Sequence, residues 1–333
     1  MSDDVFSALW VESTANRQTV QKVVERNVSD LPKHPLLVDV RYSSLNYKDA
    51  LSANGKPGVT KQYPHTPGID AAGYVIEDTS GKFQVGDAVI VSGYDLGMNT
   101  PGGLAQRISV PSDWAVPLPD NLSMLEAMTI GTAGFTAALC VQKILRMGAK
   151  ADDGQVIVTG ATGGVGSFAV ALLNHLQFSV VASTGKLEQS EWLSSLGAQQ
   201  ILDRASLTEL SDRPLAQPRW AHAIDCVGGE ILNNVIKSLQ YQGSVAICGM
   251  TLSPQLNTNV FPFILRGVNL LGVDCVELPL AAKVANWDLL SGEFKLPQLE
   301  TMAELIRLQE APEYLARLLN GHARGRYVVD LSL

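Results

Sequence analysis

The chain is short of cysteine, of histidine and of basic residues, and each shortage excludes something. Only four cysteines occur in 333 residues, Cys140, Cys226, Cys248 and Cys275, so the first 139 residues hold none. No two of them form the close pair used by structural zinc sites, and four nitrogen or sulfur ligands cannot be assembled from the first part of the chain. All four lie in apolar stretches, which predicts buried, reduced thiols and a cytoplasmic, reducing compartment. Lysine and arginine number 25 against 33 acidic residues, a net charge of −8. A general binder of nucleic acid or of an anionic membrane would carry the opposite balance, so no nucleic-acid or membrane partner is expected. The start, Met1-Ser2-Asp3-Asp4, is acidic and no apolar stretch follows it, so no secretory signal is expected. Nor is any apolar run expected to approach the roughly 20 residues of a membrane span.

What is present is a globular composition, 46% apolar and 17% charged. A length of 333 residues suits two domains, since one averages about 100–200. Up to about residue 120 short strands alternate with turns, as in Val38-Asp39-Val40-Arg41-Tyr42, which predicts a small β-barrel-like domain. Ser123 and Glu126 can cap a helix, and a second helix is expected over 134–145. From 154 onward strands and helices alternate, with helices near 167–176, 188–196 and 229–240, which predicts an α/β, doubly wound parallel sheet. Two helices near 280–291 and 312–320 follow, and a last strand at 327–331 is expected to return to the first domain. The expected division is therefore 1–125 with 278–333, and 126–277.

Val156-Ile157-Val158 feeds a glycine-rich turn and then an apolar helix. The match to a dinucleotide fingerprint is Ala161-x-Gly163-x-x-Gly166, with Ala161 in place of the first glycine. Gly163 lets the backbone approach a pyrophosphate, Gly166 lets the helix pack on the strand, and the N–H groups at Gly164 and Val165 open toward an anion. The bland alternative is an ordinary strand-to-helix turn. NAD sites place an acidic residue about 20 residues further on. Here Ser183-Thr184-Gly185-Lys186 stands there, with no carboxylate, and Arg204 follows the next strand. Hydroxyls and cations suit a 2′-phosphate, so NADPH is the expected cofactor; the alternative is that Lys186 is a solvated helix start. Cys226-Val227-Gly228-Gly229 and Cys248-Gly249-Met250 each follow a strand, where such a sheet binds its ligand. They are expected at the adenosine and nicotinamide halves respectively, their thiols serving as packing groups.

Several segments together resemble the medium-chain dehydrogenase/reductase superfamily: Asn46-Tyr47-Lys48-Asp49, Pro67-Gly68-Ile69-Asp70-Ala71-Ala72-Gly73, Gly131-Thr132-Ala133-Gly134-Phe135-Thr136-Ala137, and the glycine turn. Within it the chain is similar to the zinc-free, quinone-oxidoreductase-like branch that includes bacterial acrylyl-CoA reductases, an identification strengthened by residues 261–268 and Gly272-Val273-Asp274. The resemblance implies a GroES-like β-barrel catalytic domain, a Rossmann cofactor domain, a cleft between them, and a homodimer. By motif alignment, zinc-bearing relatives carry ligands at the positions of Asn46 and Ile69, neither competent here, so no metal is expected. His65 is read as an ordinary loop histidine.

The resemblance also places Asn46 and Tyr47 near the nicotinamide, Asn46 as a donor to an oxyanion and Tyr47 as a hydroxyl donor or cofactor ligand. It puts Thr132 at the same end. Asp49 is expected to position the short helix, and Asp70 to orient its neighbours. Arg266, Arg324 and Arg326 are candidates for CoA or NADPH phosphates, and Asn320 is a further cofactor candidate. Three readings follow: an NADPH-dependent reductase of a short 2-enoyl-CoA, best represented by acrylyl-CoA; an NADPH:quinone oxidoreductase; and a non-catalytic NADPH sensor, since fold does not determine function.

Overall fold

The computed structural model of the protein describes residues 4–14, 18–208, 213–297 and 299–332. Its contacts gather into two compact units, Met1–Thr132 with Val276–Leu333, and Ala133–Cys275. The first unit is built on a seven-stranded sheet whose hub is Leu36–Ser44. Leu36, Val38 and Val40 alternate inward along it, while Arg41 faces solvent. The hub pairs antiparallel with Asp70–Asp78, Arg107–Val110 and Arg326–Asp330. The last of these strands comes from the far end of the chain and sets Val328 opposite Ser44. Leu9, Val38, Val89, Ile108, Tyr327 and Val329 share the core beneath. Burial of each such aliphatic side chain stabilises the fold by about 1.5–3 kcal/mol.

The second unit holds six parallel strands. In chain order they are Gln155–Thr159, Ser179–Thr184, Gln200–Asp203, Trp220–Asp225, Leu239–Ile247 and Asn269–Gly272; in space they run 3-2-1-4-5-6. This is the Rossmann order, in which the direction of winding reverses between strands 1 and 4. Val156, Ile157 and Val158 are fully buried, as expected of a central strand covered on both faces. The expected helix 229–240 ends at Lys237 instead. Ser238 turns its hydroxyl back onto the Asn234 carbonyl, and Arg266 takes the Lys237 carbonyl, so the ladder stops and Leu239 opens a strand.

Met124–Arg146 corrects one expectation. Its 23 residues include an 18-residue window of mean hydropathy 1.5, long and apolar enough to cross a membrane by length and composition. However, 78% of that window is buried within the protein, and Gly131 (φ 46°, ψ −162°) interrupts the helix. Burial and the break mark a core helix in two parts. Its start is capped as the sequence suggested: Ser123 Oγ accepts from the Glu126 N–H, and Glu126 accepts from the Ser123 N–H.

Candidate functional site

In the second unit, strand 1 enters the glycine turn through Gly160 (φ 62°), a left-handed position that suits glycine. Gly160, not Ala161, is therefore the residue that makes the tight turn, a role the fingerprint alignment missed. Ala161 is buried and its N–H donates to the Ser183 carbonyl, pinning the turn to strand 2. A Cβ on Gly166 would lie 2.3 Å from the Gly160 oxygen, so the helix Gly164–His175 can start only with glycine there. Its first full-turn bond is Ser167 N–H to Gly163 O, and no side chain caps the N-terminus. Gly163, Gly164 and Val165 are partly exposed, with amides at the open end of a 12-residue helix. That end attracts an anion through its N–H groups and its partial positive charge.

At the end of strand 2 the structure reassigns roles. Ser183 and Thr184 are buried. Thr184 Oγ1 lies 3.3 Å from Thr162 Oγ1 and accepts the Lys186 N–H, so it shapes the turn. The Ser183 hydroxyl is buried without a partner. The groups open to solvent are Lys186, half-buried, and Arg204, exposed. Arg204 packs so closely over Gly185 that a Cβ there would meet its Nε at 2.5 Å. Burial draws the Lys186 ammonium below its usual range; Glu188 opposes this, and the charge of Arg204 adds a smaller push in the same direction as burial.

Where the sheet reverses, Thr159 ends strand 1 and Asp225 ends strand 4. Thr159 Oγ1 donates to Asp225 Oδ1 at 2.6 Å, and the Gly228 N–H donates to Asp225 Oδ2 at 2.7 Å. Burial pushes the Asp225 carboxyl up to about 6, against the pull of these bonds. Asp225 thereby fixes the turn that carries Cys226. The expectation that all thiols are buried fails here: Cys140 is, but Cys226, Cys248 and Cys275 are half-buried. Gly249 sits against the Cys226 carbonyl, where a Cβ would come within 2.0 Å.

The first unit holds a buried polar network centred on Asp70. Its carboxylate accepts from Ser44 Oγ (2.7 Å), Asn46 Nδ2 (2.7 Å), Thr132 N (2.9 Å) and Thr132 Oγ1 (2.7 Å). Arg326 stands 3.8 Å away and donates to the Thr129 and Leu45 carbonyls, Asn46 Oδ1 and Ser44 Oγ. Gly131 makes room: a Cβ would lie 2.5 Å from Arg326 Nη2 and 2.6 Å from Ser44 Oγ. Burial lowers the Arg326 pKa, and Asp70 and Asp49 restore part of it.

Two expectations are corrected by this network. Asn46 is 7% exposed, and its amide donates to Asp70 and to the Ser44 carbonyl. Both its N–H groups are engaged, so it orients its surroundings rather than meeting an oxyanion. Arg326 is buried among internal acceptors and is no phosphate ligand. Arg266 is likewise committed, to the carbonyls of Lys237, Leu239 and Ala216.

The remaining residues fall as follows. Asp49 accepts N–H bonds from Asn46, Gly68 and Ile69 and so holds the start of the helix Tyr47–Ala53 against the loop before Asp70. Burial, with Asp70 nearby, pushes its carboxyl up to about 7 against those bonds. Tyr47, first residue of that helix, is 38% exposed beside buried Asn46, so its ring and hydroxyl can reach a ligand. Asn320 caps the C-terminus of Ala311–Leu319, and Arg324 is exposed. His65 is a core residue, 5% exposed, held neutral by burial.

A family model described as the alcohol dehydrogenase GroES-like domain matches residues 32–120, and one described as zinc-binding dehydrogenase matches residues 164–288. The acrylyl-CoA reductase AcuI of Ruegeria pomeroyi is 40% identical over 98% of this chain and 100% of its own length. The putative quinone oxidoreductase YhfP of Bacillus subtilis is 42% identical over 98% of this chain and 99% of its own. The YhfP crystal structure, with NAD bound, matches at a TM-score of 0.95, covering 98% of this chain and 99% of that one. The yhdH oxidoreductase of Salmonella enterica, solved in complex with NADP, is 43% identical, with a TM-score of 0.94 over 97% of this chain and 99% of that chain. One of these family descriptions names zinc. Asn46 has its amide engaged, Ile69 is apolar and buried, and among the described residues no three His, Cys, Asp or Glu side chains group to hold a metal.

Proposed function

The chain belongs to the medium-chain dehydrogenase/reductase superfamily, with a GroES-like N-terminal domain and a Rossmann domain, and from that premise we propose that it reduces a short 2-enoyl-CoA, acrylyl-CoA first, with NADPH. It is an oxidoreductase. The observation that carries the substrate assignment is the likeness to AcuI along 98% of the chain. The residues present fit the cofactor: an uncapped helix start behind a glycine turn for the pyrophosphate, and Lys186 with Arg204 for a 2′-phosphate.

Bound NADPH supplies a hydride to the β-carbon. The open amides at Gly163, Gly164 and Val165 would hold its pyrophosphate, with Gly166 allowing the close turn behind them. With Asn46 and Ile69 at the positions where zinc-bearing relatives carry ligands, polarisation of the thioester carbonyl is assigned to hydrogen-bond donors. Tyr47 is the exposed donor beside the Asp70 network, and it supplies a hydroxyl to the substrate oxygen or the proton for the α-carbon. Thr132, tied to Asp70, shapes the backbone on the same network.

The test follows NADPH oxidation with acrylyl-CoA and with a quinone, separately. Turnover of acrylyl-CoA supports the reading; oxidation with the quinone alone favours the role named for YhfP. Tight NADPH binding without turnover of either points to a sensor. Tyr47→Phe should lower turnover by about 10²-fold or more while leaving NADPH affinity nearly unchanged. We further propose a homodimer through the second unit, supported by exposed Ile264 and Leu265 beside the edge strand Asn269–Gly272. A reducing, cytoplasmic location suits the four free thiols.

A further inference from the structure

Cys226 and Cys248 end neighbouring parallel strands, one residue beyond the register pair Asp225–Ile247. The Cys248 N–H bonds the Asp225 carbonyl, so the two cysteines lie side by side across the ladder. Neighbouring strands run about 4.8 Å apart, within the Cα separation that a disulfide spans. Their Sγ atoms are already 3.9 Å apart and both residues are half-buried. Glycines follow each of them: Gly228 (φ 72°) after the first and Gly249 after the second. Gly249 packs directly against the Cys226 carbonyl, so the two exits are held side by side.

We propose that Cys226 and Cys248 are a redox-active dithiol whose disulfide weakens dinucleotide binding. The coupling rests on the preceding reading, which puts the cofactor at the C-terminal edge of this sheet; the bond itself does not. The reaction is exchange with a small-molecule disulfide. The deprotonated sulfur of Cys248 attacks one sulfur of RSSR, forms a mixed disulfide and expels RS⁻. Cys226, having lost its proton, attacks the Cys248 sulfur and expels the second RS⁻. The two released protons balance the two thiolates, so the protein loses two hydrogens and the reagent becomes two RSH. Cys248 is the attacking sulfur because the thiols of Cys140 and then Cys226 turn toward it and hold its pKa well below the ordinary range. Cys140 is fully buried and does not act as a partner to solvent.

The disulfide draws together the segments after strands 4 and 5 and alters the edge between them. Linkage then works both ways: if the bond weakens NADPH about tenfold, NADPH favours the dithiol about tenfold, near 30 mV for this two-electron couple. The experiment equilibrates the full-length protein in mixtures of reduced and oxidised glutathione, with and without NADPH. Acid-quenched peptides are then read by non-reducing mass spectrometry. A Cys226–Cys248 linked peptide is expected, still formed in Cys140→Ala. In the double variant Cys140→Ala, Cys226→Ala, glutathione should remain on Cys248, because no neighbouring thiol is left to resolve it. Linkage of Cys140 to Cys248, or no linkage at all, overturns the dithiol. Equal NADPH affinity of reduced and oxidised protein overturns the coupling. Failure of the reduced protein to bind NADPH sinks the preceding reading, while the peptides still judge the bond.

Discussion

Thr132 grips both oxygens of the Asp70 carboxylate, its backbone N–H 2.9 Å from Oδ2 and its hydroxyl 2.7 Å from Oδ1. The same carboxylate faces buried Arg326 and two further donors, Ser44 and Asn46. Removing it leaves a guanidinium in the core with part of its compensation gone. Asp70→Ala should cost about 3–5 kcal/mol by urea denaturation. Thr132→Val, which deletes one bond to a charged group, should cost about 1.5–3 kcal/mol. A loss below 1 kcal/mol in Asp70→Ala, on this same scale, would show that the network is not structural.

Gly131 offers a steric test of that network. A side chain there meets Arg326 and Ser44 at once and must hold φ 46°. Gly131→Ala should lose about 2–4 kcal/mol, the sum of left-handed strain and overpacking. Thermal melts of the variant and the wild type check it; an unchanged midpoint would mean that Arg326 moves freely.

Cofactor choice should follow Lys186 and Arg204. Each charge-assisted bond to a 2′-phosphate contributes about 1.5–3 kcal/mol, so either alanine variant should raise the NADPH KM by about 10- to 150-fold. The NADH KM should barely move, since NADH lacks that phosphate. An equal rise for both cofactors would place these cations elsewhere.

A pH signature belongs to Asp225. Its carboxyl titrates near 6 in the folded protein, above the ordinary 3.8. Well below pH 3.8 the group is protonated in both folded and unfolded chains, and its full contribution to stability is present. As pH rises through 6, the unfolded chain releases the proton more readily than the folded one, and that contribution is lost. Relative to Asp225→Asn, the wild type should therefore lose about 3 kcal/mol between pH 3 and pH 7. Parallel stability curves for the two proteins would refute the burial argument.

The exposed pair Ile264 and Leu265 is 73% and 57% accessible. Leu265→Asp should convert a dimer to a monomer in sedimentation velocity, with NADPH binding retained. A wild type that sediments as a monomer at micromolar concentration would remove the dimer proposal.

The parallel sheet and the glycine turn were legible because their constraints are local: Val156-Ile157-Val158 and Gly166 act on neighbours within a few residues. The Asp70 network was not. Arg326 bonds Ser44 across 282 residues of chain, so nothing near either residue distinguishes a buried network arginine from a surface one. Arg266 misled for the same reason, since its three carbonyl partners come from two distant segments. Asn46 was drawn from motif position, which places a residue without saying which groups already occupy its amide. The Met124–Arg146 helix was underestimated because Gly131 and scattered threonines disguise its apolar content.

Gly166 wedged against the Gly160 carbonyl has a thermodynamic consequence. The loop from 160 to 166 is held by its own close packing and by the Ala161 bond to strand 2 before any ligand arrives. Its conformational entropy is lost when the protein folds, not when a phosphate binds. Association should then resemble a rigid encounter, with little slow rearrangement. A variant that loosens the loop without touching its amides should show weaker binding chiefly as a less favourable entropy in calorimetry.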